Sequence, residues 1–180
     1  MVKINTCVFI SGKGSNLKTL IKNSRDYNFP IKITLVISNK KNAPGLNFAK
    51  KFSIPIKTIN LKDSISEIML LNIIKKNKIT LICLAGYMKI LSKNFIKKFR
   101  GKIINIHPSL LPKYKGVNTF TRILKNKEKI SGCTVHHVND KLDSGNIILK
   151  KLFSIEDKDN ELSLKRKTQK LEYKAFSEAI

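Results

Sequence analysis

Short aliphatic runs alternate with stretches of helical periodicity along most of this chain, and this alternation limits the folds open to it. Ile4 to Ile10, Ile31 to Ile37 and Ile79 to Leu84 are mainly apolar runs of strand length. Strands that are apolar on both faces are typical of parallel sheets covered by helices. The alternation predicts an α/β protein with a mostly parallel, twisted sheet of about seven strands and helices on both faces.

The length of 180 residues fits one domain with its own hydrophobic core, and we expect residues 1–180 to form that domain. No apolar run reaches the roughly 20 residues that span a bilayer. The segment from Met1 to Asn5 lacks the layout of a signal peptide. Cys7, Cys83 and Cys133 stand singly in apolar stretches without a CxxC pair. This pattern favours buried, reduced thiols in a cytoplasmic protein, without a metal site and without a membrane partner.

The charge is strongly positive, because 36 Lys and Arg residues stand against 12 Asp and Glu residues for a net charge of +24. Such a charge raises the question of a nucleic-acid partner. Only four of the basic residues are arginines, although arginine is the side chain preferred for bidentate contacts with phosphates and bases. The lysines are also spread along the chain. We interpret the charge as compositional drift and expect no specific nucleic-acid partner, although a phosphate-bearing small substrate would benefit from it.

Two polar residues lie at the end of the predicted fifth strand. Asn105 and His107 are spaced two apart in the apolar run that starts at Ile103, so an extended chain places both side chains on one face. Pro108 has no N–H group and pushes the preceding residue towards extended geometry, so the strand must end there. A lone histidine often has only a structural role, but an amide and an imidazole side by side at a strand end form a plausible catalytic pair.

A glycine-rich turn, residues 11–16, links the first predicted strand to a helix whose periodic pattern begins at Leu17. This order presents backbone N–H groups and the positive end of a helix to a phosphate. The turn is not a dinucleotide fingerprint, because Leu17 stands where a third glycine is required. Taken alone, the turn is equally consistent with a purely structural corner.

Asp143 lies in a tight turn in a chain that is poor in carboxylates before residue 127. By itself it would be interpreted as a turn-forming residue. His136 and His137 are adjacent on the preceding predicted strand, where neighbours face opposite sides, so at most one could face a site. We favour a structural role for both histidines.

Three motifs together resemble the folate-dependent formyltransferases, and within them the phosphoribosylglycinamide formyltransferases. The resemblance extends over about residues 4 to 176. The motifs are Asn-x-His-Pro-Ser-Leu-Leu-Pro from Asn105, Ser-Gly-x-Gly-Ser-Asn from Ser11, and Val-x-Asp-x-Leu-Asp-x-Gly-x-Ile from Val138.

The resemblance implies transfer of the formyl group of 10-formyltetrahydrofolate to the amine of 5'-phosphoribosylglycinamide in purine synthesis, without a metal. It implies that a carboxylate at position 143 favours the imidazolium form of His107. The implied catalytic residues are Asn105, His107 and Asp143. The implied substrate-binding residues are Gly14, Ser15, Asn16 and Glu172. The implied residues that bind the folate are Met88, Lys89, Ile90, Leu91 and Asn105.

The chain departs from the family pattern in two places. Asn118 and Phe120 stand where many members carry histidines that contact the substrate, and the chain ends at Ile180, short of the family's usual C-terminal extension. We expect the short C-terminus to reduce stability or activity. The protein is expected to be a monomer or homodimer.

The alternatives are a methionyl-tRNA formyltransferase, a formyltetrahydrofolate hydrolase and a non-catalytic nucleic-acid-binding protein. The first shares the Asn-x-His core and suits a basic surface. Its motif continues with Trp-Arg-Gly-Ala-Ala, whereas this chain has Tyr-Lys-Gly-Val-Asn from Tyr114 and contains no tryptophan.

Overall fold

The computed structural model describes residues 2–61 and 63–180. Within these residues seven strands alternate with six helices, and the strands belong to one mostly parallel sheet. The strands, in chain order, are β1 Ile4–Ile10, β2 Ile31–Ser38, β3 Ile56–Thr58, β4 Leu81–Leu84, β5 Lys102–His107, β6 Ile130–His137 and β7 Ile147–Ser154.

The helices are α1 Ser15–Ser24, α2 Leu46–Lys51, α3 Ser64–Lys76, α4 Lys93–Lys98, α5 Thr119–Lys125 and α6 Glu161–Glu178. Polar side chains cap the N-termini of three of them. Asp63 accepts a hydrogen bond from the Ser66 N–H at the start of α3. Ser92 and Asn160 cap α4 and α6 in the same way. Because each cap satisfies a backbone donor that has no partner within its helix, these residues fix where the helices begin.

The chain divides into two compact units, with the boundary between Ile104 and Asn105 inside β5. In the first unit β1 pairs in parallel with both β2 and β4, and β2 pairs in parallel with β3. The residues after β1 and β4 are joined directly, since the Ser11 N–H donates to the Gly86 carbonyl at 3.2 Å. Parallel pairing therefore brings the glycine turn and the segment after β4 to the same edge of this part of the sheet.

The second unit, Asn105–Ala179, contains the antiparallel pair β6 and β7 with α6 packed on them. The pairing of β6 with β7 is irregular between Val135 and His136, as in a β-bulge. A bulge adds a residue to one strand and re-aims the side chains that follow it. Both Val135 and His136 are buried.

The interior is aliphatic and aromatic, with Phe9, Phe95 and Phe176 among its largest fully buried side chains. Cys7, Cys83 and Cys133 are buried and free of disulfides, as predicted. No helix within the described part of the chain is both long enough and apolar enough to cross a membrane.

The structure confirms the α/β fold class, and the predicted strands and helices are present with small shifts at their ends. The last helix, α6, begins at Glu161. A turn precedes the helix, because the Asp159 N–H donates to the Glu156 carbonyl and Asn160 then caps α6. The prediction that residues 1–180 form a single domain stays a prediction.

Candidate active site

Asn105 and His107 hold alternate positions at the end of β5, which stops at His107 just before Pro108. The side chain of His107 is only 6% exposed, and Asn105 is half-buried. Both residues contact Asp143, so the three predicted catalytic side chains lie together in the second unit. The spacing of two on an extended strand accounts for the shared direction of the amide and the imidazole.

Asp143 reaches this pair from the turn between β6 and β7. Its φ of 45° lies in the left-handed region, which Asp tolerates better than most residues. Carboxylate oxygen Oδ2 lies 3.2 Å from Nδ1 of His107 and accepts a 2.9 Å hydrogen bond from the Gly116 N–H. The other oxygen, Oδ1, accepts from Nδ2 of Asn105 at 3.5 Å. The left-handed conformation of Asp143 therefore directs its carboxylate towards His107 and Asn105, in addition to reversing the chain.

Both ring nitrogens of His107 face oxygen acceptors. Besides the contact of Nδ1 with Asp143, Nε2 lies 2.8 Å from the carbonyl oxygen of Tyr114. Burial lowers the pKa of His107 below its ordinary value of 6.5, and this effect outweighs the Asp143 carboxylate and the Tyr114 carbonyl, which raise it. The carboxylate acts in the predicted direction, but burial makes the neutral imidazole the favoured form at pH 7.

Burial works to raise the pKa of the Asp143 carboxyl, yet the pKa lies below its ordinary value of 3.8. The nearby imidazoles of His136 and His107 and the Gly116 N–H together outweigh the burial. Asp143 is therefore a fixed negative charge at neutral pH beside the two polar side chains of β5.

His136 also belongs to this cluster, although the sequence favoured a purely structural role for it. Its Nε2 atom lies 3.2 Å from Nδ2 of Asn105 and 3.6 Å from Oδ1 of Asp143. The expectation that at most one of the two adjacent histidines faces a site fits these contacts. The bulge at Val135/His136 would have been the useful signal, and it is visible only once the pairing of β6 with β7 is known.

The glycine turn of the first unit places its predicted substrate-binding residues at the start of α1. Gly14 precedes the helix with a φ of 70°, Ser15 is its first residue, and Asn16 is buried. A Cβ atom on Gly14 would lie 2.6 Å from the Cα atom of Gly45. A glycine is therefore required at position 14 by both the positive φ and the close approach of another backbone segment.

The segment predicted to bind the folate follows β4 and is largely open. Met88 and Ile90 are 68% and 77% exposed, and Lys89 is exposed too, whereas Leu91 is buried. Ser11 anchors the segment, because its hydroxyl accepts a 2.8 Å hydrogen bond from the Met88 N–H. The same hydroxyl donates to Asn39 at 2.6 Å. One buried serine thus connects the glycine turn with the predicted folate segment inside the first unit.

Glu172 lies on α6. Burial raises the pKa of the Cys133 thiol to about 12, and the negative charge of Glu172 contributes to this increase.

A small cleft of about 110 Å³ borders Asp143 in the second unit. Leu111, Pro112, Lys115, Ser144, Gly145 and Ile147 form the rest of its wall. Asn105 and His107 are not part of that wall, so we place the candidate site by the polar contacts and not by the cleft.

Comparison with known proteins agrees with the motifs. A family model described as formyl transferase matches residues 4–180. The phosphoribosylglycinamide formyltransferase of Haemophilus influenzae is 40% identical over 178 residues, which cover 94% of this chain and 82% of that protein. The human trifunctional purine biosynthetic protein adenosine-3 is 39% identical over 99% of this chain, which spans only 18% of the human protein.

Solved structures show the same architecture. The crystal structure of phosphoribosylglycinamide formyltransferase from Anaplasma phagocytophilum matches with a TM-score of 0.92 and 36% identity over 99% of this chain and 85% of that chain. The corresponding structure from Brucella melitensis matches with a TM-score of 0.93 and 36% identity over 99% of this chain and 94% of that one.

Proposed function

This chain belongs to the formyl transferase family, and from that premise we propose that it is a phosphoribosylglycinamide formyltransferase. The proposed reaction transfers the formyl group of 10-formyltetrahydrofolate to the amine of 5'-phosphoribosylglycinamide in purine synthesis. The observation that carries the proposal is the buried contact of Asp143 with both His107 and Asn105. These three residue types provide an amide donor, an acid and a fixed negative charge at one place.

The reaction begins when the amine nitrogen attacks the formyl carbon, and the formyl oxygen becomes an oxyanion. We assign Asn105 to this step, because one hydrogen of its Nδ2 group can be directed at the developing negative charge. A preorganised donor of this kind stabilises the transition state more than the substrate. Its contacts with Asp143 and His136 support the assignment, since they limit rotation of the amide.

The second step breaks the bond between the formyl carbon and N10 of the folate. We assign His107, in its protonated form, as the general acid that protonates this nitrogen. Asp143 faces Nδ1, which leaves Nε2 as the nitrogen that gives up the proton, and in the structure Nε2 lies against the Tyr114 carbonyl. The amine loses one proton, through water towards Asp143, and N10 gains one. The products are the formylated amine and tetrahydrofolate.

Substrate binding is assigned to two binding segments of the first unit, the glycine turn and the stretch after β4, and to α6. Gly14, Ser15 and Asn16 would hold the phosphate with backbone N–H groups at the positive end of α1. Met88, Lys89, Ile90 and Leu91 would line the pterin ring, for which a segment with exposed apolar side chains is suited. Glu172 is the remaining assigned contact with the substrate.

Three buried free thiols fit the proposed cytoplasmic location.

The net charge of +24 makes methionyl-tRNA an alternative acceptor of the formyl group to be tested, because tRNA is a polyanion. The deciding experiment supplies the purified chain with 10-formyltetrahydrofolate and either phosphoribosylglycinamide or methionyl-tRNA. We expect formyl transfer to phosphoribosylglycinamide alone. Transfer to methionyl-tRNA, or release of formate without an acceptor, would replace the proposal by one of the alternatives. His107→Asn is the inactive control, and His137→Gln is the matched control on a neighbouring histidine.

A further inference from the structure

The ring of His136 is held in one orientation inside the second unit. The residue is only 2% exposed, and its Nδ1 atom lies 2.8 Å from the carbonyl oxygen of His137. A carbonyl oxygen can only accept, so Nδ1 must carry a hydrogen for this contact to be favourable. In the neutral ring Nε2 then has no hydrogen and acts as an acceptor.

The acceptor Nε2 faces the amide of Asn105. Nδ2 of Asn105 lies 3.2 Å from it, and the same Nδ2 lies 3.5 Å from Oδ1 of Asp143. The opposite orientation of the amide would bring its oxygen against a nitrogen lone pair and a carboxylate oxygen, and both contacts would be repulsive. The orientation of the Asn105 amide is thus fixed by two acceptors, and His136 is the nearer one.

We propose that His136 is a positioning residue, which orients the Asn105 amide so that its second Nδ2 hydrogen is presented to the formyl oxygen. This inference rests on the proposed function for its kinetic consequence, but the orientation itself does not depend on any reaction. His136 acts through Asn105 and needs no contact with the reacting atoms. Buried donors and acceptors in such networks set geometry because an unpaired alternative is costly.

The first test measures the tautomer of His136 in the ligand-free chain, residues 1–180, by ¹⁵N-edited NMR of the imidazole nitrogens. The chain contains only three histidines, so assignment with His107→Asn, His136→Gln and His137→Gln is direct. We expect His136 to carry its hydrogen on Nδ1. The Asn105 side-chain NH₂ resonance should move in His136→Leu and stay in place in His137→Gln. A hydrogen on Nε2 of neutral His136, or an Asn105 resonance that ignores the change, would overturn the proposal.

The second test is kinetic and uses phosphoribosylglycinamide and 10-formyltetrahydrofolate. Misdirecting one oxyanion donor should lower kcat of His136→Leu by roughly 10- to 100-fold, with little change in either KM. His136→Gln should retain kcat within about threefold, because its Oε1 can accept where Nε2 did. Equal losses in the Leu and Gln variants would contradict the proposal.

The two tests separate the two claims. If the wild-type chain transfers no formyl group, the proposed function fails, while the NMR measurements still decide whether His136 orients Asn105. If His136→Leu does not fold, the tautomer of the wild type and the behaviour of His136→Gln remain decisive.

Discussion

The polar cluster of the second unit and the binding segments of the first unit, which are the glycine turn and the stretch after β4, are built in opposite ways. In the cluster, Asn105, His107, His136 and Asp143 satisfy one another, and the Asp143 side chain is only 8% exposed. In the first unit, Met88 and Ile90 are mostly exposed, whereas Gly14 is buried beside the Gly45 backbone and presents only backbone groups. The cluster is organised before any substrate arrives, whereas the binding segments offer backbone groups and apolar surface to a ligand.

This difference separates the expected effects of substitution. A preorganised set of donors and charges acts on the transition state, so damage to it should lower kcat. Exposed surface and backbone donors bind the substrate equally before and during the reaction, so damage to them should raise KM. We therefore expect larger losses of activity from substitutions in the cluster than from substitutions in the binding segments.

Asp143→Asn should cause the largest loss. The substitution keeps the shape of the side chain but removes the charge that raises the pKa of His107, so burial lowers that pKa further. Loss of an acid–base group costs about 10²–10⁴-fold in rate, and we expect kcat to fall in that range. Because activity needs protonated His107, kcat should decline with rising pH, and this decline should shift to lower pH in the variant. The measurement is kcat against pH with saturating substrates.

A well-folded Asp143→Asn protein with near-wild-type kcat would reduce Asp143 to a turn residue. Circular dichroism provides the check on folding. The φ of 45° at this position suits Asn as well as Asp, so the variant is not expected to be strained.

Gly14→Ala should raise the KM for phosphoribosylglycinamide by roughly tenfold, about 1.4 kcal/mol, with a smaller effect on the folate. It should also destabilise the protein by about 2 kcal/mol, because a left-handed φ costs about 1–2 kcal/mol for a residue with a Cβ atom and the Cβ would meet Gly45. Gly14→Val adds a larger clash of the same kind. Urea unfolding and initial-rate kinetics on the same preparations measure both effects.

Gly12→Ala is the matched control in the same turn. A Cβ atom on Gly12 would have nothing within 4 Å, so the free energy of unfolding should change by less than about 0.5 kcal/mol. Equal destabilisation by both substitutions would show that the turn tolerates no side chain anywhere. Equal effects of Gly14→Ala on both substrates would point to a folding defect alone.

Ile90→Ala should weaken folate binding by about 1–2 kcal/mol. The pterin would cover the exposed Ile90 side chain on binding, and alanine has much less apolar area to remove from water. Ile65 on α3 has the same exposure of 77%, so Ile65→Ala is a control matched in residue type and accessibility. We expect Ile65→Ala to leave the folate KM unchanged. Similar KM values for the two variants would remove Ile90 from the folate-binding segment.

The smallest effect concerns stability against pH. His107 has a lowered pKa in the folded protein, so below its ordinary pKa of about 6.5 the unfolded chain binds the proton more readily. The stability associated with neutral His107 is present above that pH and is lost as the pH falls towards the folded-state pKa. Urea midpoints at about pH 7.5 and about pH 5.5 should differ less in His107→Gln than in the wild type. If the difference is the same in both proteins, His107 does not contribute to stability in this direction.

Much of this architecture could be predicted from the sequence, because its signals are local. Apolar runs such as Ile4 to Ile10 and capping residues such as Ser92 determine their own elements. The three motif residues were predicted through a family resemblance, and the structure brings them into contact. The roles of His136 and of the Tyr114 carbonyl could not be predicted, because they depend on a bulge and on a loop conformation with positive φ.

The central claim is that the cluster performs the chemistry and the binding segments only hold the substrates. Single-turnover formyl transfer with both substrates saturating tests this division directly in the wild type, Asp143→Asn and Gly14→Ala. Saturation should bring the Gly14→Ala rate to within a few-fold of the wild type, while the Asp143→Asn rate should stay lower by at least about 10². A slow Gly14→Ala protein beside a fast Asp143→Asn protein would contradict the account.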